Sequence, residues 1–469
     1  MFAKQFQITV ELLNIFQQAN LHLPFQKKRI MVIMKFGGTS VGKPERMHQV
    51  SQLITRNTEP TLVVLSALSG TTNALVEIST ALASPNKQIA AEKIAVLEKQ
   101  YRAFIIDLLK EETIRAKANE MITEHFEFLK ITQKISLSDA LNKDILAQGE
   151  LMSTKLFSLY LEQEKIDHAL LPALEFMQLD INDEPDLTAI QEKIKGVLAQ
   201  HAGKKLFITQ GYICRNSRAE VDNLKRGGSD YTASLIAAAV KASVCEIWTD
   251  IDGMHNNDPR VVDKTVAIEQ LSFDEAAELA YFGAKILHPT CIWPAQQENI
   301  PVKLLNTMQP TAVGTVIKKE AGSVGVKAVA AKDNIIAIKI KSSRMLLAYG
   351  FLRKIFEVFE KYKTPIDMIT TSEVAVSVTI DSDTHLNEII TELNNIASVE
   401  VEQNQTIVSI VGNEIAKTEA VLNKLFQAIN EIPVTMVSYG GSPHNISLLI
   451  PSEHKVKTLQ LINKGLFNL

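Results

Sequence analysis

From residue 30 onward the apolar positions fall in short unbroken runs: MVIMKF at 31–36, TLVVLSA at 61–67, KLFITQGYI at 205–213, CEIWTD at 245–250 and PVKLL at 301–305. Runs of this length, bounded by glycine or polar residues and separated by longer helical stretches, predict buried strands of an α/β domain with a mainly parallel sheet sandwiched by helices. Between Leu75 and about Leu171 the pattern is helical and rich in Glu, Lys and Leu, which predicts covering helices or a small lid. This first domain is expected to run over residues 31–320.

Past the turn-like KKEAGSVG the texture changes to strand, helix, strand, and does so twice. NIIAIKI, the helix GFLRKIFEVFEKYK, Pro365 and EVAVSVTI recur in outline as TIVSIVG, the helix KTEAVLNKLFQAIN, Pro433 and NISLLI. The two prolines lie 68 positions apart, so a duplicated βαβ unit is expected, over 333–400 and 401–469. Paired small modules of this kind suit ligand sensing.

The first thirty residues precede any convincing strand and hold one acid, Glu11. They lack a continuous apolar core with a cleavage site, and they are poorer in Arg and Ser than a transit peptide. A disordered extension and a start codon assigned too early, with Met31 and Met34 beside the first strand, are the competing readings.

Composition narrows the class. Of 469 residues 46% are apolar and 22% charged, a balance that predicts a soluble globular enzyme of two or three domains. The net charge of −4 gives no electrostatic reason for a nucleic-acid or anionic-membrane partner. No apolar run approaches the roughly 20 residues needed to span a bilayer. Cys214, Cys245 and Cys291 are scattered and odd in number, which fits neither a disulfide framework nor a zinc cluster and places the chain in a reducing cytosol.

The strongest local chemistry is a strand running into GGTSVGKP, where a glycine turn can expose backbone N–H groups to phosphate oxygens. It nearly matches a P-loop through Gly37, Gly42 and Lys43, but Pro44 stands where Ser or Thr would hold magnesium. The alternative is that Lys35, just before Gly37 and Gly38, supplies the cation. KFGGTS resembles the opening motif of the amino-acid kinase family. The later order of SALSGTTN, QGELMS, TQGYI, RGGSDYTA, WTDIDG, DPR and FGAKILHP makes the resemblance specific to aspartokinases over residues 31–320, and TTSEVAVSVTID extends it.

That resemblance implies transfer of the ATP γ-phosphoryl to the β-carboxylate of L-aspartate, the first step towards lysine, threonine and methionine. Such a transition state needs charge stabilisation more than bond-making help. The resemblance gives this role to Lys35 and Lys285, with N–H groups of Gly37 and Gly38 on the transferred group and Asp230 orienting both lysines. The plain alternatives are solvated surface cations for the lysines and an N-terminal helix cap for Asp230. Ser272 and Glu275 have capping-box spacing, so a helix is predicted to start there and to place Lys285 just past its far end.

For aspartate, Arg226 is suited to a bidentate grip on the α-carboxylate and Glu150 to the α-ammonium, with Ser66, Thr72 and Ser229 as further contacts. For ATP, the resemblance points to Ser40, Thr249, Asp250, His255, Arg260 and Ile286 beside the lysines and the glycine turn. His255 stands where many aspartokinases carry tyrosine. Magnesium should arrive bridging ATP oxygens, and no protein metal ligand is assigned. The β-carboxylate, with a reference pKa near 4, is already ionised at neutral pH, so no general base is needed and His288 is expected only to satisfy a local hydrogen bond.

The duplicated C-terminal units resemble ACT domains, which bind amino acids and pair across a dimer interface. A homodimer or dimer of dimers and feedback inhibition by lysine are implied. Met345, Gly350, Phe351, Asp367, Thr371, Ser372 and Glu373 match lysine-binding positions, whereas Ala348 replaces a hydroxyl residue. The span up to Leu469 implies a monofunctional kinase. A glutamate 5-kinase or acetylglutamate kinase would lack the RGGSD with FGAKILHP pairing and the ACT tail, and a non-catalytic sensor would have lost Lys35, Asp230 or Lys285.

Overall fold

The apolar runs become strands whose alternate residues enter two different cores. On β1 (Val32–Phe36), Ile33 joins the core on one face of the sheet, while Val32, Met34 and Phe36 join the core on the other. β2 (Thr61–Leu65) and β4 (Leu206–Gln210) are buried at every position, as central parallel strands should be. With β3 (Ala169–Leu171), β7 (Val244–Thr249), β8 (Gln270–Ser272), β9 (Val302–Asn306) and β10 (Thr315–Lys318) they form an eight-stranded sheet in the order β3-β4-β2-β1-β7-β9-β10-β8. Every pairing is parallel except β9 with β10. β5 (Ile213–Arg215) and β6 (Val221–Asn223) make a separate antiparallel hairpin. This computed structural model describes residues 31–84, 87–224, 227–283, 287–320, 322–342 and 349–469. The extension at 1–30 and, of the residues given roles above, Arg226, Lys285, Ile286 and Met345 lie outside the described residues.

The helical region holds four long helices, Thr71–Ala83, Gln88–Leu108, Glu112–Thr132 and Asp139–Gln163. The last starts where Ser138 accepts from the Leu141 amide, and its buried face brings Gln148, Glu150, Ser153 and Thr154 under the sheet's carboxyl edge. The capping box expected at Ser272 and Glu275 is present and opens the helix Phe273–Tyr281.

In the C-terminal part the two repeated units share one sheet. β11 (Gly325–Lys341) starts before residue 333 and pairs with β14 (Ser398–Asn413) almost end to end, from Gly325 opposite Asn413 to Lys341 opposite Ser398. With β12 (Ile369–Thr371), β13 (Ala375–Ile380), β15 (Met436–Tyr439) and β16 (Asn445–Pro451) they form one antiparallel sheet in the order β12-β13-β11-β14-β16-β15. The duplication survives in the packing, since each half keeps its own apolar core. One gathers Ile338, Ile355, Phe359 and Val378, the other Ile410, Leu425, Leu448 and Ile462. Phe351, Ile355, Val358 and Phe359 are buried at helical spacing, which fixes the inward face of the helix Phe351–Lys361. Among the described residues no helix is long and apolar enough to cross a membrane.

Candidate active site

β1 lies at the middle of the eight-stranded sheet with β2 on one side and β7 on the other, so the chain's progress across the sheet reverses there. A crevice at the carboxyl ends is the expected ligand site of such a sheet. The glycine turn fills this position. The Gly37 amide donates to the Trp248 carbonyl at 3.4 Å and the Ser66 amide to the Phe36 carbonyl at 3.2 Å. A Cβ on Gly38 would stand 3.0 Å from the Ala67 carbonyl oxygen and one on Gly42 2.6 Å from Ser69 Cβ, so the turn is pressed against the loop after β2. Lys43 is exposed at the head of the helix Pro44–Ile54, which gives the P-loop alternative no support.

Lys35 points instead toward Asp230, with Nζ 2.7 Å from Oδ1 and the two side chains 11% and 18% exposed. The contact is one of charge, since Oδ1 makes no hydrogen bond of normal geometry. Asp230 sits in the first turn of the helix Gly228–Val240, whose N-cap is Gly227 at φ +71°. Gly227 rather than Asp230 therefore holds the cap position, and the Asp230 carboxylate faces Lys35.

Beside this pair a cleft of about 450 Å³ is lined by Gly38, Thr39, residues 66–70, Thr72, Asn73, Glu150, Tyr212, Gly228 and Ser229. Two helix starts face it, Thr71–Ala83 behind Gly70 and Gly228–Val240 behind Gly227, and both offer amide groups suited to an anion. Ser66 Oγ donates to Ser229 Oγ at 2.9 Å, and the Ser66 carbonyl accepts from Ser153 Oγ at 2.8 Å. Glu150 is 3% exposed, and its Oε1 accepts the Ala67 amide at 3.3 Å. Its Oε2 has no hydrogen-bond partner. Burial pushes its carboxyl up to about 7, with the Ala67 amide pulling the other way. A buried carboxylate with one vacant oxygen is suited to an incoming ammonium group.

On the other side of the crevice, Thr249 ends β7 and donates to Asp250 at 3.2 Å, with Asp250 exposed. Gly253, at φ +113°, passes so close to Thr315 that a Cβ would meet Oγ1 at 2.6 Å. Both ring nitrogens of His255 are engaged within its own region, Nδ1 with Thr265 Oγ1 and Nε2 with Asp252 Oδ1, each at 2.8 Å. Arg260 is mostly exposed and held by Asp258 at 2.8 Å. This segment is tied to the helix Lys455–Phe467, because Asn257 donates to the Leu459 carbonyl at 3.0 Å and Asn463 to the Lys264 carbonyl at 2.9 Å. His288 pairs locally with Thr290 at 2.7 Å.

The structure thus gathers Lys35, Gly37, Gly38, Ser66, Thr72, Glu150, Ser229 and Asp230 around one crevice. Ser40 is fully buried and bonded to Thr307 at 2.8 Å, holding the glycine turn to the end of β9 rather than facing outward. Thr307, Ser153 and Tyr212 have no local signature that would single them out. Tyr212 does follow Gly211 in a sharp turn at φ +67°, and a Cβ on Gly211 would meet Ser229 Oγ at 2.4 Å. In the regulatory sheet, Gly350 caps the helix Phe351–Lys361 at φ +79°, Phe351 is buried, and Thr371, Ser372 and Glu373 are exposed.

Residues 31–306 match the amino acid kinase family and residues 408–466 an ACT domain. The lysine-sensitive aspartokinase 3 of Escherichia coli strain K12 is 34% identical over 451 residues, covering 93% of this chain and 99% of that protein. The chloroplastic aspartokinase 3 of Arabidopsis thaliana is 34% identical, covering 96% of this chain and 84% of that protein. The crystal structure of E. coli aspartokinase III with aspartate and ADP in its R-state superposes with a TM-score of 0.81 at 32% identity, covering 93% of this chain and 100% of that one. Its T-state complex with lysine and aspartate gives 0.77 at 32% identity, covering 93% and 99%. With the parallel sheet, the glycine turn and the C-terminal sheet already placed, these likenesses make the chain a member of the aspartokinases within the amino acid kinase family.

Proposed function

We propose that this chain transfers the γ-phosphoryl group of ATP, arriving as its magnesium complex, to the β-carboxylate of L-aspartate. The product is 4-phospho-L-aspartate, the entry to lysine, threonine and methionine synthesis in the cytosol. The observation that carries the reading is the Lys35–Asp230 pair at 2.7 Å beside a cleft that holds a buried carboxylate and two helix starts. Lys35 neutralises charge on the transferred phosphoryl group, amides of Gly37 and Gly38 donate to it, and Asp230 keeps the ammonium aimed. Glu150 takes the α-ammonium, while Ser66, Thr72 and Ser229 with the helix starts hold carboxylate oxygens. Arg226 and Lys285 would complete the grip on substrate and phosphates. Thr249, Asp250 and Arg260 lie on the nucleotide side, whereas His255 serves its own loop.

The C-terminal sheet is proposed to bind lysine through Gly350, Phe351, Asp367, Thr371, Ser372 and Glu373, and to pair two chains as a homodimer. Support comes from the ACT match and from the E. coli relative, described as lysine-sensitive and solved with lysine. The test is ATP-dependent hydroxamate formation with aspartate, with glutamate as control, and with lysine, threonine and methionine each added in turn. Hydroxamate from aspartate alone, suppressed by lysine, is expected. Turnover of glutamate would overturn the substrate assignment, and turnover indifferent to lysine would overturn the effector assignment.

A further inference from the structure

The helix Phe273–Tyr281, which leads in sequence to Lys285, is bound to the regulatory sheet at its start, middle and end. Lys327 of β11 meets Glu275 at 2.9 Å, with side chains 10% and 0% exposed. Asn445 of β16 donates to Glu278 at 2.8 Å. At the last residue, the Tyr281 hydroxyl donates to Asp367 Oδ1 at 2.6 Å. Lys332 of β11 reaches the same oxygen at 2.8 Å and lies 4.6 Å over the Tyr281 ring. Gly283 then passes β11 so closely that a Cβ would meet the Ala331 carbonyl oxygen at 2.2 Å.

Asp367 is the pivot of this junction. Its side chain is 2% exposed, and Oδ2 is buried without a hydrogen-bond partner. Burial and the neighbouring carboxylate hold the Tyr281 phenol protonated, so it remains a donor. Lys332 has a second carboxylate in reach, Asp381 at 2.9 Å, and can leave Asp367 without becoming unpaired.

We propose that Asp367 is a shared carboxylate, claimed by Tyr281 and Lys332 when no effector is bound and by the effector's ammonium group when one is, so that Tyr281 relays effector binding to the catalytic domain. This rests on the effector reading above and names its route. A ligand shifts an equilibrium only through contacts that differ between the two states, and the Tyr281–Asp367 hydrogen bond is such a contact. Coupling is reciprocal, so aspartate and ATP weaken effector binding by the same factor.

The experiment compares the full chain with its Tyr281→Phe and Asp367→Asn variants, measuring lysine binding by calorimetry and inhibition by initial rates. Tyr281→Phe keeps uninhibited kcat and binds lysine at least as tightly as the native chain, because the phenol no longer competes for Asp367, but the rate that remains at saturating lysine rises on the order of tenfold, within the usual range of allosteric coupling. Asp367→Asn loses both binding and inhibition. Unchanged inhibition in Tyr281→Phe, or loss of binding together with inhibition in that variant, overturns the relay while leaving the effector reading intact. A native chain that neither binds lysine nor is inhibited by it overturns both.

Discussion

Replacing Lys35 by methionine should lower kcat for aspartate phosphorylation by about a hundredfold to a thousandfold, the usual cost of deleting one preorganised charge donor. The aspartate KM should change far less. Methionine keeps the stem among the same neighbours and removes only the ammonium that lies 2.7 Å from Asp230. Asp230→Asn should also be slow, because the carboxylate acts by aiming that ammonium. The double variant should then be hardly worse than Lys35→Met alone, since residues that act as a unit are not additive. Steady-state kinetics of the three variants read the result directly. A single Lys35→Met variant within tenfold of native kcat would reduce the pair to a structural ion pair.

Glu150→Gln should raise the aspartate KM by about tenfold to a hundredfold, because an ammonium placed against a neutral amide loses its charge-assisted partner. The sharper signature is in the pH profile. Burial holds the native carboxyl at about 7, so the ionised form that attracts the α-ammonium is present above that pH and lost as pH falls through it. At saturating ATP, kcat/KM for aspartate should be flat on the alkaline side and fall about tenfold per unit on the acid side, as the free enzyme's titration requires. The aspartate carboxylates ionise near 4, well below this window. The inflection should vanish in Glu150→Gln, and an unchanged inflection would assign it to another group. The stability sign runs opposite to that of an ordinary salt-bridged acid. Between its usual 4.5 and 7 the folded chain keeps a proton that the unfolded chain releases, so this carboxyl favours folding less as pH rises through that interval.

Much of this was legible in the sequence for physical reasons. The five apolar runs all form strands of the eight-stranded sheet, and those of β2 and β4 are buried at every position, so such runs read clearly whatever the rest of the fold does. The capping box at Ser272 and Glu275 is a local device and was readable as one. The motif order brought Lys35, Ser66, Glu150, Ser229 and Asp230 to one crevice even though they are scattered over nearly two hundred positions. Less visible was whatever depends on partners distant in sequence. Ser40 could be placed in a phosphate-binding turn, but only the fold brings it to Thr307. His255 could be read as a nucleotide contact, but Asp252 and Thr265 hold both ring nitrogens. The two regulatory units read as a duplication because their strands repeat. Their fusion through β11 and β14 depends on antiparallel register, which no local pattern encodes. Asp367 could be matched to an effector site, but its hold on Tyr281 spans 86 positions and crosses from one domain to the other.

The most direct test of the central claim identifies the carboxyl group that is phosphorylated. The purified chain is incubated with ATP, magnesium and L-aspartate, and the acyl phosphate is reduced in place by borohydride. An acyl phosphate at the β-carboxylate is reduced to homoserine, whereas one at the α-carboxylate gives 3-amino-4-hydroxybutyrate. The site described here, with Glu150 on the α-ammonium and Lys35 at the phosphoryl group, predicts homoserine, formed only when ATP and aspartate are both present. The isomeric alcohol, or no reduced product from folded chain that consumes ATP, would contradict it.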